Sequence, residues 1–127
     1  MGYRTVDSAA VEPTPDRPCE LRRLTGAAGL EHVALNRYSA APGEEIPLAY
    51  HYHDEQEEAF YVLAGEIEVE TPEGTFAVGA DELFAADAGS PHRAYCPADA
   101  DRAAEVLAVG APQTEGDVHV YDPHGEA

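Results

Sequence analysis

The sequence predicts an all-β protein folded as a jelly-roll barrel, and three observations carry that expectation. Apolar segments are short and recur along the chain, Gly- and Pro-rich turns separate them, and no long stretch has helical periodicity. Residues 1–18 contain Pro13, Pro15 and Pro18 with few apolar positions, so they read as an extended N-terminal arm. The barrel is expected over residues 19–122, and residues 123–127 form a short tail.

Residues 19–24 suit a first strand. Gly26-Ala27-Ala28-Gly29 interrupts the chain, and a second strand runs from His32 to Tyr38 before the Ala41-Pro42-Gly43 turn. A third strand carries His51 and His53. Glu66-Ile67-Glu68-Val69-Glu70 alternates acidic and apolar residues, the period of a sheet with one wet face. Thr71-Pro72-Glu73-Gly74 has the residues of a tight turn, which predicts a hairpin into Thr75–Val78. Further strands are expected near Glu82–Ala86, His92–Cys96, Ala104–Val109 and Asp117–Tyr121.

Chemistry concentrates in the middle of the chain. On a strand, side chains at i and i+2 share a face, so His51 and His53 point one way while Tyr50 and Tyr52 point the other. Asp54-Glu55-Gln56-Glu57 has the length of a hairpin connection, which would bring Glu58 back beside the histidines. His92 follows the turn-rich stretch Ala88-Gly89-Ser90-Pro91 and completes a set of three imidazoles and one carboxylate. Such a set suits one divalent transition metal, Fe, Mn, Ni, Co or Zn, without choosing among them. Phe60 and Val62 share the face of Glu58 by alternation and are candidates to line a pocket. Cys96, four residues and about 13 Å beyond His92, lies too far for the same ion; it reads as a small buried side chain, or else as a third pocket-lining candidate.

The other polar residues have plainer readings. Asp54, Glu55 and Glu57 form a solvated acidic loop, and His32, His119 and His124 are surface or interface histidines. Cys19 and Cys96 do not make a disulfide framework, although one bridge between them stays open.

The stretch from Gly43 to Cys96 resembles the two signature motifs of the cupin superfamily. His51, His53, Glu58 and Gly65 match the first motif residue by residue, and Gly79, Gly89 and His92 match the second. The spacer from Gly43 to His51 is two residues longer than usual, Asp87 stands where proline is usual, and Cys96 stands in place of asparagine. The resemblance implies a small single-domain cupin, a double-stranded β-helix with its metal on His51, His53, Glu58 and His92. It also implies a small-molecule ligand or substrate. A metal-dependent, dioxygenase-like enzyme is the leading expectation, a non-catalytic metal and small-molecule binding or sensor domain the alternative, and an isomerase or lyase a further one. For an anionic substrate, Arg37 and Arg93 stand out as basic partners. A homodimer is expected, with the arm able to cover a neighbour's sheet edge.

Composition narrows the partners. Asp and Glu number 25 against 7 Arg and no Lys, a formal charge of −18. That field repels phosphate backbones and anionic lipid, so neither nucleic acid nor a membrane is an expected partner. No apolar run has membrane-spanning length and the start lacks a signal-peptide core, which predicts a cytoplasmic protein. The acidic residues are spread along the whole chain, as in proteins of salt-in halophiles, and a halophilic archaeon is the expected source. Self-repulsion among these carboxylates decays over about 10 Å at 0.1 M salt. Thermal melts in molar KCl are therefore expected to lie above melts in dilute buffer, and an unchanged midpoint would contradict the repulsion.

Overall fold

Alternating apolar and polar residues make the strands, and their pairing makes two five-stranded antiparallel sheets packed into a barrel. The computed structural model describes residues 2–114 and 116–123, with residues 47–49 described by their backbone alone. His124 and most of the expected tail lie outside the described residues. In chain order the elements are β1 (Glu20–Arg23), α1 (Leu24–Ala28), β2 (Ala34–Ala40), β3 (Glu45–His53), β4 (Glu57–Ala64) and β5 (Glu66–Thr71). They continue with β6 (Gly74–Gly79), β7 (Leu83–Ala86), β8 (His92–Tyr95), β9 (Ala104–Ala111) and β10 (Val118–Val120). One sheet has the order β1-β2-β9-β4-β7, the other β10-β3-β8-β5-β6. The expected hairpin is β5–β6, with Thr71 opposite Gly74. At residues 26–29, where the sequence suggests only a break, the chain makes one short helix that Gly29 ends in the left-handed conformation.

Inward-facing side chains from both sheets form the core. Ile46, Phe60, Val62, Ile67, Val69, Ala94, Cys96 and Val106 are fully buried, and burying a side chain the size of Ile or Phe contributes about 1.5–3 kcal/mol. Central strand β9 is buried at every second residue: Ala104, Val106, Ala108 and Gly110. Val106 sits between Val62 and Tyr38, Ala108 between Phe60 and Asn36, and Gly110 between Glu58 and Ala34. From Val106 to Gly110 the inward side chains of β9 shrink, so the barrel is packed at the Val106 level and open at the Gly110 level.

Two local departures from regular sheet position the functional end. Between Ile46 and His51 the pairing of β3 with β8 shifts register. Even-numbered Ile46 and odd-numbered His51 and His53 are consequently all buried. Pro47, which has no N–H for the ladder, lies inside that irregularity. The second departure corrects the expected hairpin after His53. β3 pairs with β8 and β10, whereas β4 pairs with β7 and β9, so residues 54–56 carry the chain from one sheet to the other. Glu58 therefore faces the histidines across the barrel and not from a neighbouring strand.

The N-terminal segment lies on its own barrel. Thr14 N–H donates to the Leu21 carbonyl at 2.8 Å, the Arg22 guanidinium reaches the carbonyls of Ala9 and Val11, and that of Arg4 reaches Ala28 and Gly29. At the other end of the barrel, Gly65 joins β4 to β5 with φ +76, and a Cβ there would stand 2.7 Å from the Ala103 carbonyl oxygen. Backbone cannot retreat as a flexible side chain would. Gly65→Ala is expected to lower stability by about 1–3 kcal/mol, read from the urea midpoint at unchanged slope; a wild-type midpoint would show that the turn tolerates a side chain.

Candidate functional site

His51 and His92 are direct cross-strand partners on β3 and β8, with ring centroids 4.8 Å apart. Glu58 reaches toward them from β4 in the opposite sheet. Its Oε1 lies 2.7 Å from His92 Nε2, 3.6 Å from His53 Nε2 and 3.8 Å from His51 Nε2. The tightest group is His51, Glu58 and His92, whose ligand atoms all lie within 4.8 Å of one another. His53 approaches that group through Glu58. The four residues singled out in the sequence thus meet at one place, three closely and one at its margin.

Several contacts fix these side chains. His92 Nδ1–H donates to the Ser90 carbonyl at 2.9 Å, which turns Nε2 toward Glu58. Gly89 N–H donates to the His53 carbonyl at 2.6 Å, tying the turn before β8 to the end of β3. Phe60 packs edge-on against His92, centroids 5.8 Å apart. The sheet-to-sheet corner is held by Asp117, whose carboxylate accepts from the backbone N–H groups of Asp54 (3.0 Å), Glu55 (3.1 Å) and Gln56 (3.1 Å). Nothing local in the sequence distinguishes Asp117 from the other acidic residues.

The donor set fits a metal ion. Two donors about 2.1 Å from a common ion stand roughly 3 Å apart at right angles and about 4.2 Å apart when opposite, a range close to the distances around Glu58. The His53 Nε2 atom is buried with no hydrogen-bond partner, an arrangement folded proteins avoid unless the atom has another use. Both ring nitrogens of His92 face oxygen acceptors, yet a neutral imidazole carries a single N–H. A cation bound by Nε2 and the carboxylate resolves that shortage. Burial pushes the Glu58 carboxyl up, but the imidazoles of His51, His53 and His92 outweigh it and hold the group well below the usual carboxylate range.

A cavity of about 340 Å³ opens beside this cluster, with His51, His53 and Glu58 in its lining. That volume suits a small organic molecule. The walls come from Tyr38, Asn36, Gln56, Ala108 and Gly110, and Arg17 and Arg23 also contribute. Phe60, Val62 and Cys96, the candidates from strand alternation, are instead wholly buried in the core; the first two do share the Glu58 face, but they sit where the barrel is packed. Cys19 and Cys96 are free thiols. Gln56 Nε2 donates to the Pro112 carbonyl at 3.2 Å, and a Cβ on Gly110 would come within 2.5 Å of the Gln56 amide, so Gly110 makes room for it. Asp54, Glu55 and Glu57 are exposed. Of the plainer histidines, His32 is exposed and His119 pairs with Asp54 at 2.6 Å while stacking on Tyr52.

The cupin domain family matches residues 36–110, more than half of the chain and all of the cluster. The chain belongs to the cupin family. This cupin is 38% identical over 88 residues to the polyketide synthase CurC of Streptomyces cyaneus, an alignment covering 65% of the chain and 53% of that relative. The chain thus spans about half the length of the relative. Its fold is similar to that of a sugar phosphate isomerase from Silicibacter pomeroyi, with a TM-score of 0.79, 23% identity, and 94% and 82% of the two chains covered. It is also similar to the polyketide cyclase RemF from Streptomyces resistomycificus, with a TM-score of 0.77, 22% identity, and 94% and 86% covered. At those identities the two structures show a common fold and no more.

The corner contact has a pH signature. Burial raises the Asp117 carboxyl, but the N–H groups of Gln56, Glu55 and Asp54 prevail and leave it below its ordinary value. A carboxyl depressed by folding contributes stability that is full above its unfolded value, about 3.9, and lost as pH falls through the folded one. In chelator-treated protein, Asp117→Asn is expected to lower the urea midpoint near neutral pH, with the gap to wild type closing below about pH 4. A gap independent of pH would contradict the ionised contact.

Proposed function

We propose that this cupin is a metal-dependent enzyme acting on a small carbonyl compound of the polyketide type, by non-oxidative ring closure or a related isomerase or lyase reaction. The observation that supports the metal is the buried, unpartnered Nε2 of His53, together with the short approach of His92 Nε2 to an ionised Glu58 beside a cavity of ligand size. His51, His53, Glu58 and His92 would hold the ion, which when bound supplies Lewis acidity toward the oxygens of a substrate. The substrate class is supported by the 38% identity to CurC.

The chain's own residues set the rest of the chemistry. Glu58 brings one negative charge to the cluster, leaving a divalent centre net positive and attractive to carbonyl oxygens. Tyr38 lines the cavity and is 4% exposed. Burial first, and then the Glu58 carboxylate, push its hydroxyl well above the usual phenol range, against the opposing pull of Arg23 and Arg17. It therefore stays protonated at neutral pH and can donate a hydrogen bond to an oxygen on which charge develops. Gln56, oriented by the Pro112 carbonyl, offers a fixed amide on the cavity wall. Ring closure joins an activated methylene carbon to a carbonyl carbon, the methylene losing a proton and the carbonyl oxygen gaining one, so no oxidant is consumed.

An oxygenase, expected from the sequence, is the competing outcome of one experiment. Protein purified without added metal is expected to carry about one transition metal ion per chain, and His92→Ala to lose most of it. With linear aromatic polyketones as substrates, absorbance is expected to change without dioxygen uptake at an electrode. Uptake stoichiometric with product would replace ring closure by oxygenation, and tight binding without turnover would favour a binding module. Tyr38→Phe is expected to keep the metal while lowering kcat about a hundredfold, the usual loss of one donor to a developing oxyanion. An unchanged kcat would remove Tyr38 from the reaction.

A further inference from the structure

We infer that Arg17 and Arg23 form an anion-recognition end of the cavity, so that the substrate carries a carboxylate or phosphate group away from its reacting carbonyls. The inference rests on the carbonyl-substrate reading above and narrows it. It starts from the accounting of positive charge. All seven basic side chains are arginines, set among 25 acidic residues. Arg22 pairs with Glu20, Arg37 with Glu105, and Arg93 with both Glu45 and Glu70, while Arg4 is spent on the carbonyls of Ala28 and Gly29. Arg37 and Arg93, the partners suggested by the sequence, are thus already neutralised.

Arg17, Arg23 and Arg102 have no ion pair among the described residues. Two of these three line the same cavity as His51, His53 and Glu58. On so acidic a surface an exposed guanidinium readily meets a carboxylate, and two that do not, beside one opening, form a local positive patch in a negative field. Their charge reaches the interior, since both oppose the upward shift of the Tyr38 hydroxyl. Tyr38 itself lies on that wall, almost wholly buried.

Local structure holds the two arginines on one side. Thr14 N–H bonds to the Leu21 carbonyl, folding residues 14–21 back on themselves with Arg17 inside the fold and Arg23 just beyond it. Asp16 turns the chain at φ 59, and Pro15 and Pro18 restrict the backbone around it. A guanidinium is a planar fork of donors that matches carboxylate and phosphate oxygens alike. The ligand is accordingly bipolar, with carbonyl oxygens at the histidine end and an anion at the arginine end.

The test uses metal-loaded full-length protein and three probes: benzoylacetone, benzoylacetone with a para-carboxylate, and benzoylacetone with a para-phosphate. Affinities are read by titration calorimetry and from the ultraviolet band of the enol. At least one anionic probe is expected to bind about tenfold more tightly than benzoylacetone, with the advantage shrinking as salt rises. The tighter of the two identifies carboxylate or phosphate as the group recognised. In the Arg17→Gln, Arg23→Gln double variant, shown to keep its metal and melting temperature, the three probes are expected to bind alike. Anionic probes that bind no better than benzoylacetone, that fail to bind, or that keep their advantage in the double variant would overturn the inference. Failure of the carbonyl reading looks different: arginine-dependent binding of the anionic probes would persist after metal removal, with no binding of benzoylacetone.

Discussion

An ionised carboxylate enclosed between two β-sheets costs several kcal/mol unless polar or cationic groups surround it. Glu58 is in that position, and the functional end of the barrel is arranged around it. His51 and His92 come from adjacent strands of the facing sheet. The shifted register of β3 gives His51 and His53 the inward orientation that Ile46 has further down the strand. The Ser90 carbonyl selects the nitrogen that His92 turns to the carboxylate, and the Gly89 bond to the His53 carbonyl holds the β8 approach against β3. A cation bound there would complete the neutralisation, so that metal binding and the packing of one sheet on the other would be two aspects of the same electrostatic problem.

Features with a local cause are legible in the sequence. Ile67 and Val69 alternate with glutamates and are the buried residues of β5, and Thr71-Pro72-Glu73-Gly74 makes its turn wherever it is placed. His51 and His53 share a face because spacing on a strand requires it. The connection after His53 is different. A short polar run fits a hairpin and a sheet-to-sheet corner equally well, and Asp117, 61 residues beyond Gln56, decides between them. Glu58 consequently meets the histidines by a route that chain-local reasoning does not supply.

The cavity wall was hidden for a related reason. Alternation places Phe60 and Val62 on the Glu58 face but does not say how deep along the barrel that face stays open. Depth is set by β9, which lies in another part of the sequence. Gln56 did leave a trace, as the lone amide in the run Asp54-Glu55-Gln56-Glu57-Glu58. Arg17 leaves none, because its place depends on how the arm returns over β1, and the carboxylates that neutralise Arg37 and Arg93 come from distant parts of the chain that only the fold brings beside them.

The graded strand β9 has a consequence for how such a barrel can diversify. Its inward positions are spaced by two residues, about 6.6 Å of rise, and each step from Val106 to Ala108 to Gly110 removes side-chain bulk from the interior. β9 thus works as a depth gauge. A larger residue at Ala108 would raise the floor of the cavity and a smaller one at Val106 would deepen it, whereas Gly110, beside Glu58, is held to glycine by the Gln56 amide that fills the space a Cβ would need. The depth of the cavity and the histidine–carboxylate cluster thus depend largely on different strands, so substitutions in β9 can change which molecules fit while leaving the cluster intact.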